Sequence, residues 1–396
     1  MAGATIDHLA SVIIFIAALL LFINLFNQTI QTAVIYQQHR ALATKCSDLL
    51  DTMLLNPANE MQTGFGLHDS NFMQYVLDSF SLMRLNSSTG TPVSYNKTGM
   101  MYSNMTVGFG NSLLMLMNDD DVVNYSRALG MLGVNGTYGF QLTLTPIVNV
   151  SIAEVQTSPL KLSVDVSGVG FPLANASVSY RLIPVSLNGA YPDYLTVQDQ
   201  TGTVYTGPDG IAPPVVFPTF TPNATLTYAF VAYAQVGGVA GVGFYVPPSG
   251  NPKPIPFVES LNGTVLLAHS SDVPNNATSS GNFTYNAAFV KFSNENFELQ
   301  ENSTGAVWSG AGHAPEVITV PNDQGILVIA YKNNLGSGGV AVMPWGVGSL
   351  AFPVVFGGSP AGQEWVATDM RQVLVGGVAY QAKLSLWGLT GVQVVG

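Results

Sequence analysis

From Leu9 to Phe26 the chain is apolar at every position except Ser11 and Asn24. Such a run is just long enough, as a helix, to cross a hydrocarbon core of about 30 Å. It does not stop there. No Gly or Pro occurs between Gly3 and Pro57 in a chain otherwise rich in both, which predicts one helix from about Thr5 to Leu55, roughly 75 Å long. Beyond the apolar run, Ile30, Val34, Leu42, Cys46, Leu49, Leu50, Met53 and Leu54 recur mostly at spacings of three and four, with Gln38 as the one polar break. Gln31, Lys45, Asp48 and Asp51 fall off that stripe, so the outer half of the helix is expected to pack on a domain. Asn56 with Pro57 ends it, because a residue before proline is pushed out of the α region.

The pattern then changes period. Residues 58–155 read as mixed: a short helix within 69–85 capped by Asp69 or Ser70, and another within 118–132 with acidic residues at its positive end. Phe140, Leu142 and Leu144 next alternate with polar positions as a strand does. Residues 156–248 are wholly β in pattern, with "KLSVDVSG", "ANASVSYRLI", "TLTYAFVAYAQV" and "GVGFYV" as strands. "PPSGNPKPIP" is a proline-stiffened linker. Residues 257–396 supply "GTVLLAH", "NAAFVKF", "GILVIAY", "GGVAVMPW", "SLAFPVVF" and "VAYQAKLSLWGL", together with Trp308, Trp345, Trp365 and Trp387, which are expected as buried anchors of a second sandwich. The expected fold class is α+β, mainly β: a long N-terminal hydrophobic helix over 1–57, a mixed head over 58–155, an Ig-like β-sandwich over 156–248 and a C-terminal β-sandwich over 257–396.

Composition changes the picture in one respect. Only 9% of residues are charged, against about 25% in ordinary soluble proteins. Asn-X-Ser/Thr triplets offer another source of hydration. They begin at Asn27, and at the glycosylation candidates Asn86, Asn96, Asn104, Asn124, Asn135, Asn149, Asn175, Asn223, Asn262, Asn276, Asn282 and Asn302. N-linked glycans are therefore expected partners, and after Asn302 something other than glycan is expected to cover the chain. The net charge of −11, with no Lys/Arg cluster, sets nucleic acid aside. Cys46 is the single cysteine, which excludes an intrachain disulfide and any site built on several thiolates.

Catalytic, cofactor and metal sites are not expected. Asn118 to Asp121 carry oxygen donors but lack the D-x-D-x-D-G spacing of a calcium loop. His8, His39, His68, His269 and His313 show no paired spacing, and no G-x-S-x-G elbow, phosphate loop or dinucleotide fingerprint occurs. Cys46, on the apolar side of the helix, reads as packing.

A helix of about fifty residues, membrane-like first and amphipathic after, leading into a β-rich head, resembles the type IV pilin and archaellin superfamily. "IDHLASVIIFIAALLLFI" is similar in texture to archaeal members, and Asp7 stands fifth if counting starts at Gly3, where family members commonly carry an acidic residue. The basic residues that normally precede the family's cleavage point are missing from "MAGATID". The resemblance implies a homopolymer, membrane-anchored before assembly, whose N-terminal helices bundle into a filament core at the cell surface. Candidate assembly residues are Asp7, Ile13, Phe15, Ile16, Leu20 and Ile23. "GVGFPLANASVSYRL" followed by "TGPDGIAPPVVFP" resembles bacterial Ig-like and prealbumin-like surface modules, with Gly170 and Pro172 shaping one turn, Val178 and Tyr180 opening a strand, and Asp209 with Gly210 forming the next turn. That resemblance implies a spacer or adhesive module and no chemistry. Two other readings stay open: a membrane-anchored adhesin or envelope glycoprotein that never polymerises, and a stalked carbohydrate-binding or carbohydrate-acting protein.

Overall fold

The computed structural model describes residues 2–57, 65–69, 74–85, 93–95, 100–105, 115–118, 122–248, 254–260, 263–269, 283–293, 296–308, 316–321, 324–333, 338–346 and 353–389. The chain is α+β and mainly β. Its first element is the expected helix, α1 (Ala2–Leu55), 54 residues in one piece, which at 1.5 Å per residue is about 80 Å long. Its last carbonyls, which no helical amide can reach, are met from outside. The Leu67 N–H donates to the Met53 carbonyl at 2.8 Å and the His68 N–H to that of Asn56 at 3.0 Å. Gly66 permits this approach, since a Cβ there would lie 2.3 Å from the Pro57 oxygen.

In chain order there follow β1 (Val76–Leu77), α2 (Ser79–Met83), β2 (Val93–Tyr95), β3 (Met100–Met105), β4 (Met115–Asn118), α3 (Tyr125–Met131), β5 (Tyr138–Pro146), β6 (Asn149–Thr157) and β7 (Leu160–Ser167). Next come β8 (Ser177–Ser186), β9 (Asp193–Tyr194), β10 (Thr201–Tyr205), β11 (Val215–Phe217), β12 (Leu226–Val236), β13 (Val239–Tyr245), β14 (Pro254–Ser260) and β15 (Thr264–His269). The last are β16 (Phe283–Ser293), β17 (Asn296–Trp308), β18 (Glu316–Thr319), β19 (Gly325–Asn333), β20 (Gly338–Trp345), β21 (Val354–Gly357), β22 (Ala367–Val375) and β23 (Val378–Gly388).

The sheet beneath α1 runs β1-β22-β23-β5-β21. Phe140, Leu142 and Leu144 of β5 are fully buried, as their alternation predicts, and they lie opposite Leu386, Leu384 and Ala382 of β23. Two of the expected unit boundaries are crossed by this pairing. The head expected over 58–155 is completed by β21, β22 and β23 from the far side of the linker, and β14 pairs in parallel with β4 in a second shared sheet. Alternation identifies a strand and its buried face but not its partner, so β5 called for neighbours without naming them. The remaining strands expected within 257–396 form a sheet ordered β17-β16-β19-β20 and the edge β18-β15-β14 of the six-stranded sheet.

The unit expected over 156–248 is a sandwich of β10-β8-β12-β13 over β11-β7-β6, and it takes in β6 from Asn149, which pairs with β7 along its whole length. Leu160, Leu162, Val164 and Val166 face Val178, Leu182 and Phe230 in its core. Its turns follow the sequence: Gly170 and Gly210 take φ of +83° and +79°, values that L side chains rarely adopt. The Asp209 carboxylate accepts the Ile211 amide at 3.1 Å. The sandwich docks on the β16/β19 sheet through its β8–β9 connection. There the Tyr194 hydroxyl lies 2.8 Å from the Asn286 carbonyl and 2.9 Å from that of Val328, and Lys332 donates to the carbonyls of Leu187 and Gly189.

Both short helices differ from expectation at their starts. α2 is capped by Asp78, which accepts the Ser81 amide at 2.9 Å, whereas the Asp69 amide donates to the Val76 carbonyl. Pairing of Val76 and Leu77 with β22 holds that stretch extended and delays the helix. α3 is capped by Asn124 and has no acid in its first turn; Asp119 to Asp121 and Ser70 lie outside the described residues. Trp345 and Trp387 are buried, but Trp365 is 39% exposed and lies against His39 of α1, so it is no core anchor. The side chain of Trp308 lies outside the described residues.

Candidate assembly interface

α1 presents two surfaces of opposite character. In its outer half Cys46, Leu50, Met53 and Leu54 are completely buried and Leu49 nearly so, all within the core shared with β5, β22 and β23. The Cys46 thiol lies 3.6 Å from the Ala367 carbonyl and 3.5 Å from that of Leu384, over both strands of the C-terminal hairpin. Burial, with a smaller push from Asp369, raises this thiol to about 11. A neutral, covered thiol is inert packing.

A polar clasp ties the same helix face to β22. Arg371 donates from Nε to Asp51 Oδ1 at 3.1 Å, from Nη2 to Asp51 Oδ2 at 3.3 Å and to Ser47 Oγ at 3.1 Å, and from Nη1 to Asp369 Oδ1 at 2.7 Å. Hydrogen bonding to Asp369 is the main reason the guanidinium is held above its ordinary range. Burial works against ionisation of Asp369, but hydrogen bonds from Ser47, Arg371 and the Met370 amide outweigh it and hold the carboxyl below the usual carboxylate range. The clasp also closes part of a sheet edge. Asp369 accepts the Met370 N–H at 2.7 Å and Arg371 donates to the Met370 carbonyl at 3.0 Å, so neither group is left to recruit a further strand.

The first half of α1 is bare. Among the described residues one helix is long and apolar enough to cross a membrane; its most apolar window has mean hydropathy 2.8 and none of it is buried. Ile13, Phe15, Ile16, Leu20 and Ile23 are all exposed, and the side chain of Asp7 lies outside the described residues. Among the described side chains the structure brings no candidate assembly residue into the head, and it leaves the five apolar ones exposed. Phe22 and Phe26 stack one turn apart at 6.3 Å.

Of the glycosylation candidates, Asn124, Asn135, Asn149, Asn175 and Asn223 are exposed, as is Asn27. Asn223 folds back on its own triplet, its Oδ1 accepting the Thr225 amide at 2.8 Å and hydroxyl at 3.1 Å. Asn104 and Asn302 lie in β3 and β17 with side chains outside the described residues, and Asn86, Asn96, Asn262, Asn276 and Asn282 lie outside them altogether. Among the described residues no three His, Cys, Asp or Glu side chains gather as a metal cradle.

Sequence reasoning did not single out Ser47, Asp369 or Arg371. The signal available was the alternation of Asp369 and Arg371 on one face of a strand, in a chain with only 12 Lys and Arg.

No family model matches the chain, and no curated protein does. Among solved structures, the alpha-2-macroglobulin of E. coli aligns with 69% of this chain at 11% identity and a TM-score of 0.21. A Salmonella alpha-2-macroglobulin mutant aligns with 71% at 10% identity and 0.19. The chain spans 19% of the length of each of these macroglobulins, and neither likeness defines a shared fold.

Proposed function

We propose that this chain is a structural subunit of a pilus-like filament at the cell surface. The bare half of α1 bundles with copies of itself, and the β-rich head, dressed with N-linked glycans, faces outward. The observation that carries this reading is the division of one unbroken helix into a half sealed on the head and a half that, among the described residues, is left exposed. Leaving so much apolar surface in water is costly, so a second environment must cover it. The resemblance to archaeal pilins supplies that environment as neighbouring helices, with membrane lipid serving before assembly. The role is assembly and display rather than catalysis, and no cofactor or nucleic acid takes part.

A second reading is favoured by length: the run from Leu9 to Phe26 matches a bilayer core, and a glycoprotein anchored there without polymerising has the same architecture. Electron microscopy of surface material, with the wild-type chain and Ile16→Asp, separates them. The filament reading expects fibres from wild type and none from the variant. A wild-type surface without fibres, or unchanged fibres from Ile16→Asp, overturns it.

A further inference from the structure

We infer that Asn135 is a site of spontaneous backbone modification, where the Gly136 amide nitrogen attacks the asparagine side chain and leaves isoaspartate in the turn between α3 and β5. Asn-Gly pairs occur at Asn135, Asn188 and Asn262. Glycine puts no side chain in the way of the attacking nitrogen, so each pair has the composition for the reaction. The fold decides which pair can reach the geometry, and it treats Asn135 and Asn188 oppositely. Asn262 lies outside the described residues.

Asn135 and Gly136 are both exposed. Gly136 has a φ of +77°, and a Cβ built on it would meet nothing within 4 Å. The hydrogen bonds of the turn pass around the pair. The Val134 N–H donates to the Leu129 carbonyl at 3.0 Å, and the Val134 carbonyl accepts the Thr137 and Tyr138 amides at 3.1 Å each. Among the described residues nothing bonds to the N–H or carbonyl of Asn135 or of Gly136. The attacking nitrogen is free, and the peptide between them turns without breaking a hydrogen bond.

Asn188 is exposed as well, but its loop is gripped. The Leu187 N–H donates to the Thr225 carbonyl at 2.8 Å, the Asn188 N–H to Ser186 Oγ at 3.3 Å, and Lys332 Nζ to the carbonyls of Leu187 and Gly189. A Cβ on Gly189 would stand 3.1 Å from the Tyr191 oxygen. Ring closure there has to turn the Asn188–Gly189 peptide out of this hold.

The step is a substitution without redox change, and water is its only co-reactant. Base in the solvent removes the Gly136 amide proton, the nitrogen bonds to Asn135 Cγ, and the Cγ–Nδ2 bond breaks with ammonia leaving. Water then opens the succinimide ring. Cleavage at Cγ gives aspartate in an ordinary backbone; cleavage at the main-chain carbonyl gives isoaspartate, with the chain running through Cβ and Cγ. The lengthened, newly charged turn lies where Tyr138 of β5 faces Gly388 of β23 and where the Leu389 N–H donates to the Thr137 carbonyl at 3.0 Å. The change therefore loosens the end of the C-terminal hairpin.

The inference does not depend on the filament reading. It touches the proposed glycan coat at one point: Asn135 and Thr137 belong to one triplet, and a sugar on Nδ2 takes the nitrogen that must leave as ammonia.

The test is mass spectrometry with electron-transfer fragmentation, which separates isoaspartate from aspartate. The full chain is made in a host that attaches no N-glycan and aged in mildly alkaline buffer with detergent. The folded chain is expected to carry about tenfold more isoaspartate at Asn135 than at Asn188, since opening the Lys332 grip costs hydrogen bonds to a charged group. Lys332→Gln should raise the yield at Asn188 and leave that at Asn135 unchanged. In urea, which needs no variant, the two sites should convert alike. Equal yields in the folded chain, more at Asn188, none at Asn135, or a preference for Asn135 that persists in urea overturns the inference. Electron microscopy of surface material reports on filaments separately. Fibres without isoaspartate sink this inference alone, and isoaspartate without fibres sinks only the filament reading.

Discussion

Arg371 grips Asp51 with two nitrogens, 3.1 and 3.3 Å from its two carboxylate oxygens, across a sequence separation of 320 residues. This fork joins α1 to the β22–β23 hairpin beside the Ser47 hydroxyl and the Cys46 thiol, among otherwise apolar contacts. The side chains keep 26% and 38% of their surface exposed, which limits what the pair is worth. Arg371→Ala is expected to destabilise the head by about 1 kcal/mol, and a double-mutant cycle with Asp51→Ala to show coupling of about 0.5–1 kcal/mol. Denaturant unfolding followed by circular dichroism measures both; zero coupling would mean that apolar packing alone holds the helix.

The two halves of α1 respond oppositely to truncation. Leu50 is fully buried, so Leu50→Ala leaves a cavity and costs about 2–5 kcal/mol of head stability. Leu20 is 61% exposed, so Leu20→Ala is expected to leave unfolding of the head unchanged and, under the proposed function, to weaken membrane retention or assembly. Paired unfolding and sedimentation measurements on the two variants check the contrast.

Acid should loosen the clasp. The folded state holds Asp369 below its ordinary range, so the protonated form is disfavoured on folding. The stabilisation is complete above the unfolded value of about 3.9 and is lost as pH falls through the folded one. Thermal unfolding of wild type and Asp369→Asn between pH 6 and about pH 2 should converge towards the acid end, where the wild-type advantage disappears.

Alkali acts on Cys46. Its folded value of about 11 exceeds that of a free thiol, so its contribution is intact below about pH 8.5 and is lost as pH rises towards 11. Cys46→Ala should flatten the fall in stability over that window. In the native chain a thiol reagent at neutral pH should label Cys46 only at the rate at which the helix lifts from the sheet, a rate that Arg371→Ala increases.

The parts of this fold that were legible in the sequence are those set by local period. The absence of Gly and Pro up to Pro57 marked α1, and the buried stripe through Cys46, Leu50 and Met53 showed which half of it packs. Alternation at Phe140, Leu142 and Leu144 marked β5 and its inner face, and the turn residues Gly170 and Gly210 stand where left-handed backbone requires them. Long-range pairing was not legible. Nothing local in Tyr380, Ala382 or Leu384 says that they join β5 rather than a sheet of their own, and the linker at Pro247 to Pro256 suggests a division that β21 to β23 cross. The expected cap, Asp69 or Ser70, precedes apolar residues just as Asp78 does. Pairing of Val76 with Leu374, far away in sequence, decided between them.

Because the cover over Cys46, Leu50 and Met53 comes from residues 367–388, the inner face of α1 cannot be finished early in synthesis. The helix is synthesised long before its partner hairpin, so until residues 367–388 arrive its inner face stays uncovered along with its apolar first half. Such a chain is exposed to premature self-contact before its head exists. Nascent copies therefore have to be kept apart until residues 367–388 arrive, and a truncation before residue 367 should be cleared as misfolded product.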